Sequence, residues 1–182
     1  MTFNVNQFRA NLIGDGARPN LFQVTLNFPT IAANGTAAGQ TGQFLIKSSQ
    51  VPGSTIGMAP LYYFGREMKF AGNRSFPDWT VTVINDENFT IRSSIENWMN
   101  SINSHVGNLR ATAADAPTNY TTNATVSQYS KDGSILQNYV FNGLFPIDLS
   151  PIGLDWSNND TIEEYDITFA YQYWTNTVST DS

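Results

Sequence analysis

Short segments in which apolar and polar side chains alternate recur along this chain and constrain its fold more than any other feature. The pattern is clearest in three segments, residues 22–28, 79–84 and 165–173. Successive side chains of a β-strand point to opposite faces, so each segment predicts a strand that is buried on one side. Residues 43–48 and 62–70 are shorter or less regular strand candidates, and Gly65 in the second indicates a bulge or a close backbone approach.

One segment changes from a period of two to helical spacing. Its apolar residues would line a single helical stripe: Ile91, Ile95, Trp98, Met99 and Ile102. We therefore expect an amphipathic helix over residues 89–103, capped by the side chain of Asn88. Asp86 and Glu87 place negative charge at the positive end of the helix dipole.

Residues 124–141 predict a β-hairpin, because Asp132-Gly133 in their middle supplies the positive φ angles of a tight turn. Both faces of this hairpin are mixed. One face would carry Val126, Gln128, Gln137 and Tyr139, and the other Ser127, Tyr129, Leu136 and Asn138. Such a second face suits contact with a neighbouring subunit or a water-filled channel better than one continuous core.

Three stretches rich in turn-forming or small polar residues predict loops, namely residues 29–41, 48–60 and 103–123. The chain shows no internal repeat and no linker, and its 182 residues match the usual size of one domain. We expect a single domain over residues 1–182. Its predicted class is mainly β, a β-sandwich or half-barrel with one packed α-helix.

Composition excludes several classes of function. A net charge of −6 argues against wrapping nucleic acid, which requires clustered Lys and Arg. The absence of cysteine excludes disulfides and thiolate sites, and His105 is the only histidine. We therefore expect no cofactor and no metal site. The first twenty residues contain no long apolar run, so neither a signal peptide nor a membrane span is expected there.

A carbohydrate-binding module and a hydrolase are the alternatives from other functional classes. Glu163, Glu164 and Asp166 cluster as the carboxylates of a glycosidase would, but no partner base accompanies them. A solvated or lumen-facing acidic stripe explains them better. The aromatic residues could stack on sugars, but we interpret five of them as core or interface anchors: Phe22, Trp79, Trp98, Trp156 and Trp174.

Several separated blocks of sequence resemble one known family and occur in its order. The blocks are residues 14–24 (GDGARPNLFQV), 71–87 (AGNRSFPDWTVTVINDE), 128–129, 143–146 (GLFP) and 154–159 (LDWSNN), followed by the closing strand to Trp174. Together they resemble the tail tube proteins of T-even-like, contractile-tailed bacteriophages. The departures are a longer amino terminus, two loop regions and the tail after Trp174.

This resemblance implies a structural virion protein that is not an enzyme. Six copies would form a ring, and stacked rings would form a tube in which each subunit contributes strands to an inner β-barrel. The implied partners are further copies of the chain, the tail sheath, tape measure, baseplate and tail terminator proteins. DNA would pass through the lumen without specific binding, and assembly would take place in the host bacterial cytoplasm. A tube of a phage-derived bacteriocin or another contractile injection system stays open as an alternative.

Two surfaces follow as candidates for contacts between copies. The segment 48–60 is longer than a simple connection and carries apolar Val51, Ile56 and Met58, for which a solvated loop has little use. We expect these three residues to contact the neighbouring ring. The hairpin residues Val126, Gln128, Gln137 and Tyr139 are expected at the subunit edge.

Overall fold

The computed structural model describes residues 4–177 of the chain, and nine strands and four helices lie within that part. The helices are α1 (Val5–Asn11), α2 (Gly35–Leu45), α3 (Thr90–Ile102) and α4 (Pro117–Tyr120). The strands are β1 (Phe22–Leu26), β2 (Ile46–Ser49), β3 (Thr55–Tyr63), β4 (Arg66–Ser75), β5 (Trp79–Ile84), β6 (Thr122–Tyr129), β7 (Ile135–Leu149), β8 (Glu164–Ala170) and β9 (Tyr173–Asn176). Short 3-10 turns span Ile13–Asp15 and Thr112–Ala114. None of the helices in this part of the chain is long and apolar enough to span a membrane.

Two antiparallel layers share the long strand β7. The first half of β7 pairs with β6 and β9, and β6 in turn pairs with β1. The second half pairs with β8, which continues through β5 to β2. Within the described residues the strand order ends at β1 and β2, so the sheet does not close on itself. This arrangement confirms the predicted mainly β sandwich or half-barrel.

The core lies between these layers and α3. Alternate residues of β5 are buried, and the buried residues of β8 follow the same period. Trp79 stacks on Phe141 with ring centroids 4.3 Å apart, and the buried indole of Trp98 donates a hydrogen bond to the carbonyl oxygen of Tyr120. Burial of each such side chain contributes about 1.5–3 kcal/mol to the free energy of unfolding. The apolar faces of the alternating strands and the apolar stripe of α3 together form the core.

The predicted helix is confirmed as α3, but its cap is Asp86 rather than Asn88. Asp86 accepts hydrogen bonds from the Thr90 backbone N–H at 2.9 Å and from the Thr90 hydroxyl at 2.8 Å. The residue before the helix, Phe89, has a left-handed backbone with φ +52°. The left-handed turn at Phe89 therefore places Asp86, and not Asn88, beside the free backbone N–H at the start of α3.

The predicted loop over residues 29–41 is confirmed only as far as residue 34, because α2 occupies Gly35–Leu45. Its buried residues are small, namely Gly35, Ala38 and Gly42. Gly39 permits close packing of the helix on β1, because a Cβ atom at this position would lie 2.9 Å from the Leu26 carbonyl oxygen. The predicted strand at 43–48 consequently begins only at Ile46, where the helix ends.

The structure also corrects the predicted loop 48–60 and the strand 62–70. Residues 55–75 form one hairpin of β3 and β4, which turns at Phe64-Gly65. Both turn residues have positive φ, +47° and +79°, as a two-residue hairpin turn requires. Gly65 therefore makes the turn, and the bulge lies elsewhere, between Ile56 and Met58.

The predicted closing strand 165–173 is divided. β8 ends at Ala170, and β9 begins at Tyr173 in the other layer, where it pairs with the first half of β7. Between them the Gln172 N–H donates to the Asn142 carbonyl oxygen at 2.9 Å. The predicted hairpin around residues 132–133 is confirmed as β6–β7, with positive φ at Gly133 but not at Asp132.

Candidate assembly surfaces

The hairpin β3–β4 is the most exposed regular structure in the described part of the chain. Every residue of both strands is exposed, and the two strands pair only with each other. An isolated two-stranded hairpin is at best marginally stable in water. Since this one is also long and carries many apolar side chains, it has the properties of a segment that another surface covers.

The two faces of this hairpin differ in chemistry. Side chains of directly paired residues point to the same face of an antiparallel pair. One face therefore carries Ala59, Leu61, Tyr63, Arg66, Met68 and Phe70 and is called the apolar face here. The opposite face carries Met58, Pro60, Tyr62, Glu67, Lys69 and Ala71. The first face has the composition of a contact core with one charge near its tip.

Aromatic residues form the tip. The rings of Tyr63 and Phe64 meet edge to face with centroids 4.5 Å apart, and Phe64 is 92% exposed. Edge-to-face geometry is a favoured arrangement for aromatic pairs. The tip is thus an ordered aromatic pair that offers nearly its whole apolar surface to a partner.

Two tryptophans hold the root segment of the hairpin, residues 49–54. The Trp79 indole Nε1 donates to the Ser49 hydroxyl at 3.2 Å and to the Gln50 carbonyl oxygen at 3.1 Å. The Trp174 Nε1 donates to the Gly53 carbonyl oxygen at 3.0 Å. The sandwich therefore determines where the hairpin leaves the domain.

The three residues predicted to contact the next ring lie at this hairpin. Val51 is in the root segment, and Ile56 and Met58 are on β3; all three are exposed. Sequence reasoning missed the apolar face, above all Leu61, Met68 and Phe70. A signal was present, because Phe64-Gly65 stands between two segments of strand-forming residues.

The five predicted anchors divide into three groups. Trp79 and Trp98 are buried, with exposures of 2% and 0%. Phe22 and Trp174 are half-buried against the core. Trp156 is 100% exposed, so it is not a core residue of the single chain, and its role as an interface anchor stays a prediction. It lies outside the strands in a turn where Asp155 accepts hydrogen bonds from the Ser157 N–H and hydroxyl, so no sheet partner covers it.

The predicted subunit-edge hairpin lies inside the sheet of one chain. Val126 pairs with Tyr139 and Gln128 pairs with Gln137, but β6 is also bonded to β1, and β7 to β9. Val126 is buried and the other three residues are half-buried. Within one chain β6 is therefore not an edge strand, whereas β9 covers β7 only over residues 139–142. Contact of these four residues with a neighbouring subunit stays a prediction.

The acidic stripe is held by partners within the chain. Glu164 forms an ion pair with Lys47 at 2.6 Å, and Asp166 accepts from the Thr82 hydroxyl at 2.7 Å. Glu163 points the other way and accepts from the Asn85 amide at 2.8 Å. Among residues 4–177, no group of three His, Asp or Glu side chains could hold a metal ion.

Comparison with known proteins identifies the family. The family model described as phage tail tube protein matches residues 17–177. The chain belongs to this family. It is 34% identical over 167 residues to the tail tube protein gp19 of Enterobacteria phage T4, and the aligned region covers 91% of this chain and 95% of the relative. The corresponding protein of Enterobacteria phage T6 is 35% identical with the same coverage. The predicted resemblance is therefore confirmed.

Solved structures with the same fold come from other contractile machines. The tube-terminating cap of the anti-feeding prophage superposes with a TM-score of 0.63 at 16% identity, over 88% of this chain and 90% of that one. A chain of the sheath–tube complex of an extracellular contractile injection system gives 0.60 at 14% identity, over 97% and 99%. These structures share its fold, and its membership of the tail tube family makes this protein a structural component of a phage tail.

Proposed function

We propose that six copies of this tail tube protein form a ring and that stacked rings form the inner tube of a contractile phage tail, through which the genome is ejected. The observation that carries the proposal is the fully exposed hairpin β3–β4, which has no partner within the described chain. The one-sided strands β1, β2 and β9 supply further unpaired edges. Such edges promote aggregation in a monomer but become joining surfaces when a ring closes.

The whole chain, residues 1–182, acts as one tube domain, with strands that join those of its neighbours in an inner β-barrel. Its partners are the sheath outside the tube, the baseplate and the terminator at its ends, and the tape measure protein in the lumen during assembly. The sheath and the terminator are supported as partners by similar folds in a sheath–tube complex and in a sheath/tube terminator. Assembly takes place in the host bacterial cytoplasm.

DNA passes through this tube without specific binding, and the protein has no enzymatic activity or cofactor. Every charged residue after Lys131 is acidic. A lumen with more acidic than basic side chains would repel phosphates and prevent the DNA from adhering. A cryo-EM map of assembled tubes tests the ring order and the lumen charge together. Rings of another order, or a lumen lined mainly by Lys and Arg, contradict the proposal.

Stacking depends on the hairpin and its root. Val51, Ile56 and Met58 contact the neighbouring ring, and their simultaneous replacement by Ser should leave the chain folded, since all three are exposed in the single chain. Tube growth should stop at the nucleating ring. Val106→Ser is the matched control, because Val106 is also fully exposed but follows α3 in the chain and is not part of the hairpin or its root. Full-length tubes from the triple variant would exclude the stacking role.

A further inference from the structure

A second exposed apolar surface lies in the Trp156 loop, residues 150–163, between β7 and β8. Leu154, Trp156 and Ile162 are 80%, 100% and 71% exposed. The Trp156 turn is ordered, because Asp155 accepts from the Ser157 N–H at 2.9 Å and from its hydroxyl at 2.6 Å. A fully exposed indole on such a turn is the kind of anchor that dominates protein–protein contacts.

The hairpin and the Trp156 loop leave the sandwich at opposite ends of the β5–β8 pair. The hairpin runs into the start of β5, where Trp79 pairs with Phe169. The loop runs into the start of β8, where Glu164 pairs with Ile84 at the end of β5. At about 3.4 Å per residue these ends are roughly 17 Å apart. The hairpin and the Trp156 loop are therefore attached at opposite ends of this strand pair.

The charges of the two surfaces are complementary. The hairpin carries Arg66, Lys69 and Arg74 against the single acid Glu67. The loop carries Asp155, Asp160 and Glu163 and no basic residue. Neither the Lys47–Glu164 nor the Arg92–Glu96 ion pair includes a residue of the hairpin. Opposite charges around apolar patches orient partners and exclude wrong ones.

We infer that the Trp156 loop of one copy receives the apolar face of the β3–β4 hairpin of the next copy. This inference rests on the proposed function and names the receiving surface for the hairpin. Trp156 and Leu154 would cover Leu61 and Phe70, and Arg66 on the same face of the hairpin would meet the acidic side chains of the loop. Because donor and receiver are different surfaces at opposite ends, the contact is head to tail and repeats without closing, as a tube requires.

Two variants of the full chain test this contact by complementation. Trp156→Ser removes the receiver and leaves the hairpin, whereas Phe70→Ser impairs the hairpin and leaves the receiver. Each variant alone should fail to elongate. When the two assemblies are prepared separately and then mixed, they should form pairs that grow no further, seen by sedimentation velocity and negative-stain microscopy. Val106→Ser controls for loss of an exposed apolar side chain, and near-UV circular dichroism controls for folding.

Full-length tubes from Trp156→Ser would overturn the inference and leave the proposed function standing. The same conclusion would follow if Trp156→Ser formed tubes that fail only to bind the sheath. If both variants are blocked but their mixture contains no pairs, the two surfaces do not meet and the inference also fails. Failure of the unmodified chain to form tubes on a baseplate would instead contradict the proposed function.

Discussion

The indole Nε1 of Trp174 donates a 3.0 Å hydrogen bond to the carbonyl oxygen of Gly53 and so joins β9 to the root of the exposed hairpin. Trp174 is itself held by the sandwich, since it pairs with Phe141 across β7–β9 and its ring meets Tyr139 edge to face. Trp79 on β5 holds the same root segment at Ser49 and Gln50, and within the described residues no strand of the sandwich pairs with the hairpin itself. These contacts therefore link core packing to the orientation of the assembly surface.

Trp174→Phe should loosen the root without unfolding the domain. Phe keeps an aromatic ring but has no donor for the Gly53 carbonyl, and a hydrogen bond of this kind contributes about 0.5–1.5 kcal/mol. Hydrogen exchange should quicken in residues 50–56 and stay unchanged in β5. Trp156→Phe is the matched control, because its indole is fully exposed. Equal exchange in both variants would show that the bond does not hold the root.

Replacement of Trp79 and of Trp156 by Ala should give opposite results in the unassembled chain. Trp79 is buried against Phe141 and Phe169, so its truncation should lower the free energy of unfolding by about 3–5 kcal/mol. Trp156 is fully exposed, so its truncation should stay within about 0.5 kcal/mol. Urea unfolding measures both, and a large loss for Trp156→Ala would show that the loop packs on the domain.

Gly35→Ala should destabilise the contact between α2 and the core. A Cβ atom at Gly35 would lie 2.5 Å from the Cβ of Phe28, so the helix or the preceding segment must move. Overpacking of this kind costs about 1–3 kcal/mol. Gly153→Ala is the control, since no neighbouring atom lies within 4 Å of its added Cβ. Equal thermal stability of the two variants would contradict the close packing.

The turn of the β6–β7 hairpin should depend on pH through Asp132. The hydrogen bond from the Ser134 hydroxyl lowers the pKa of Asp132 below the ordinary value of 3.8, and the bond from the Ser134 backbone N–H contributes less. Because the folded-state pKa is lowered, the stabilisation is present above the unfolded pKa and is lost as pH falls through the folded one. Ser134→Ala should move the pKa back toward 3.8, as carboxyl NMR titration would measure. An unchanged pKa would show that the hydroxyl does not bind the carboxylate.

Strand positions with local signals were predictable from the sequence. β5 spans the predicted residues 79–84, and α3 lies within 89–103, because alternation and helical stripes are properties of neighbouring residues. The position of the β6–β7 turn was predictable for the same reason, since Gly133 has the positive φ that the Asp-Gly pair indicated, although Asp132 does not. The family blocks likewise identified a tail tube protein before any contact was known.

The tertiary structure decided what each pattern faces. Alternation shows that two faces of a strand differ, but not whether a face meets the same chain or another copy. Trp79 and Trp156 both follow an aspartate, yet one is buried and the other fully exposed, because only Trp79 lies on a central strand with Phe141 and Phe169 against its ring. Likewise β3 and β4 carry apolar side chains that in a central strand would enter a core. The side chains of β3 and β4 stay exposed because the seven-stranded sheet of the described chain forms without these two strands. Burial of a strand depends on contacts between residues distant in sequence.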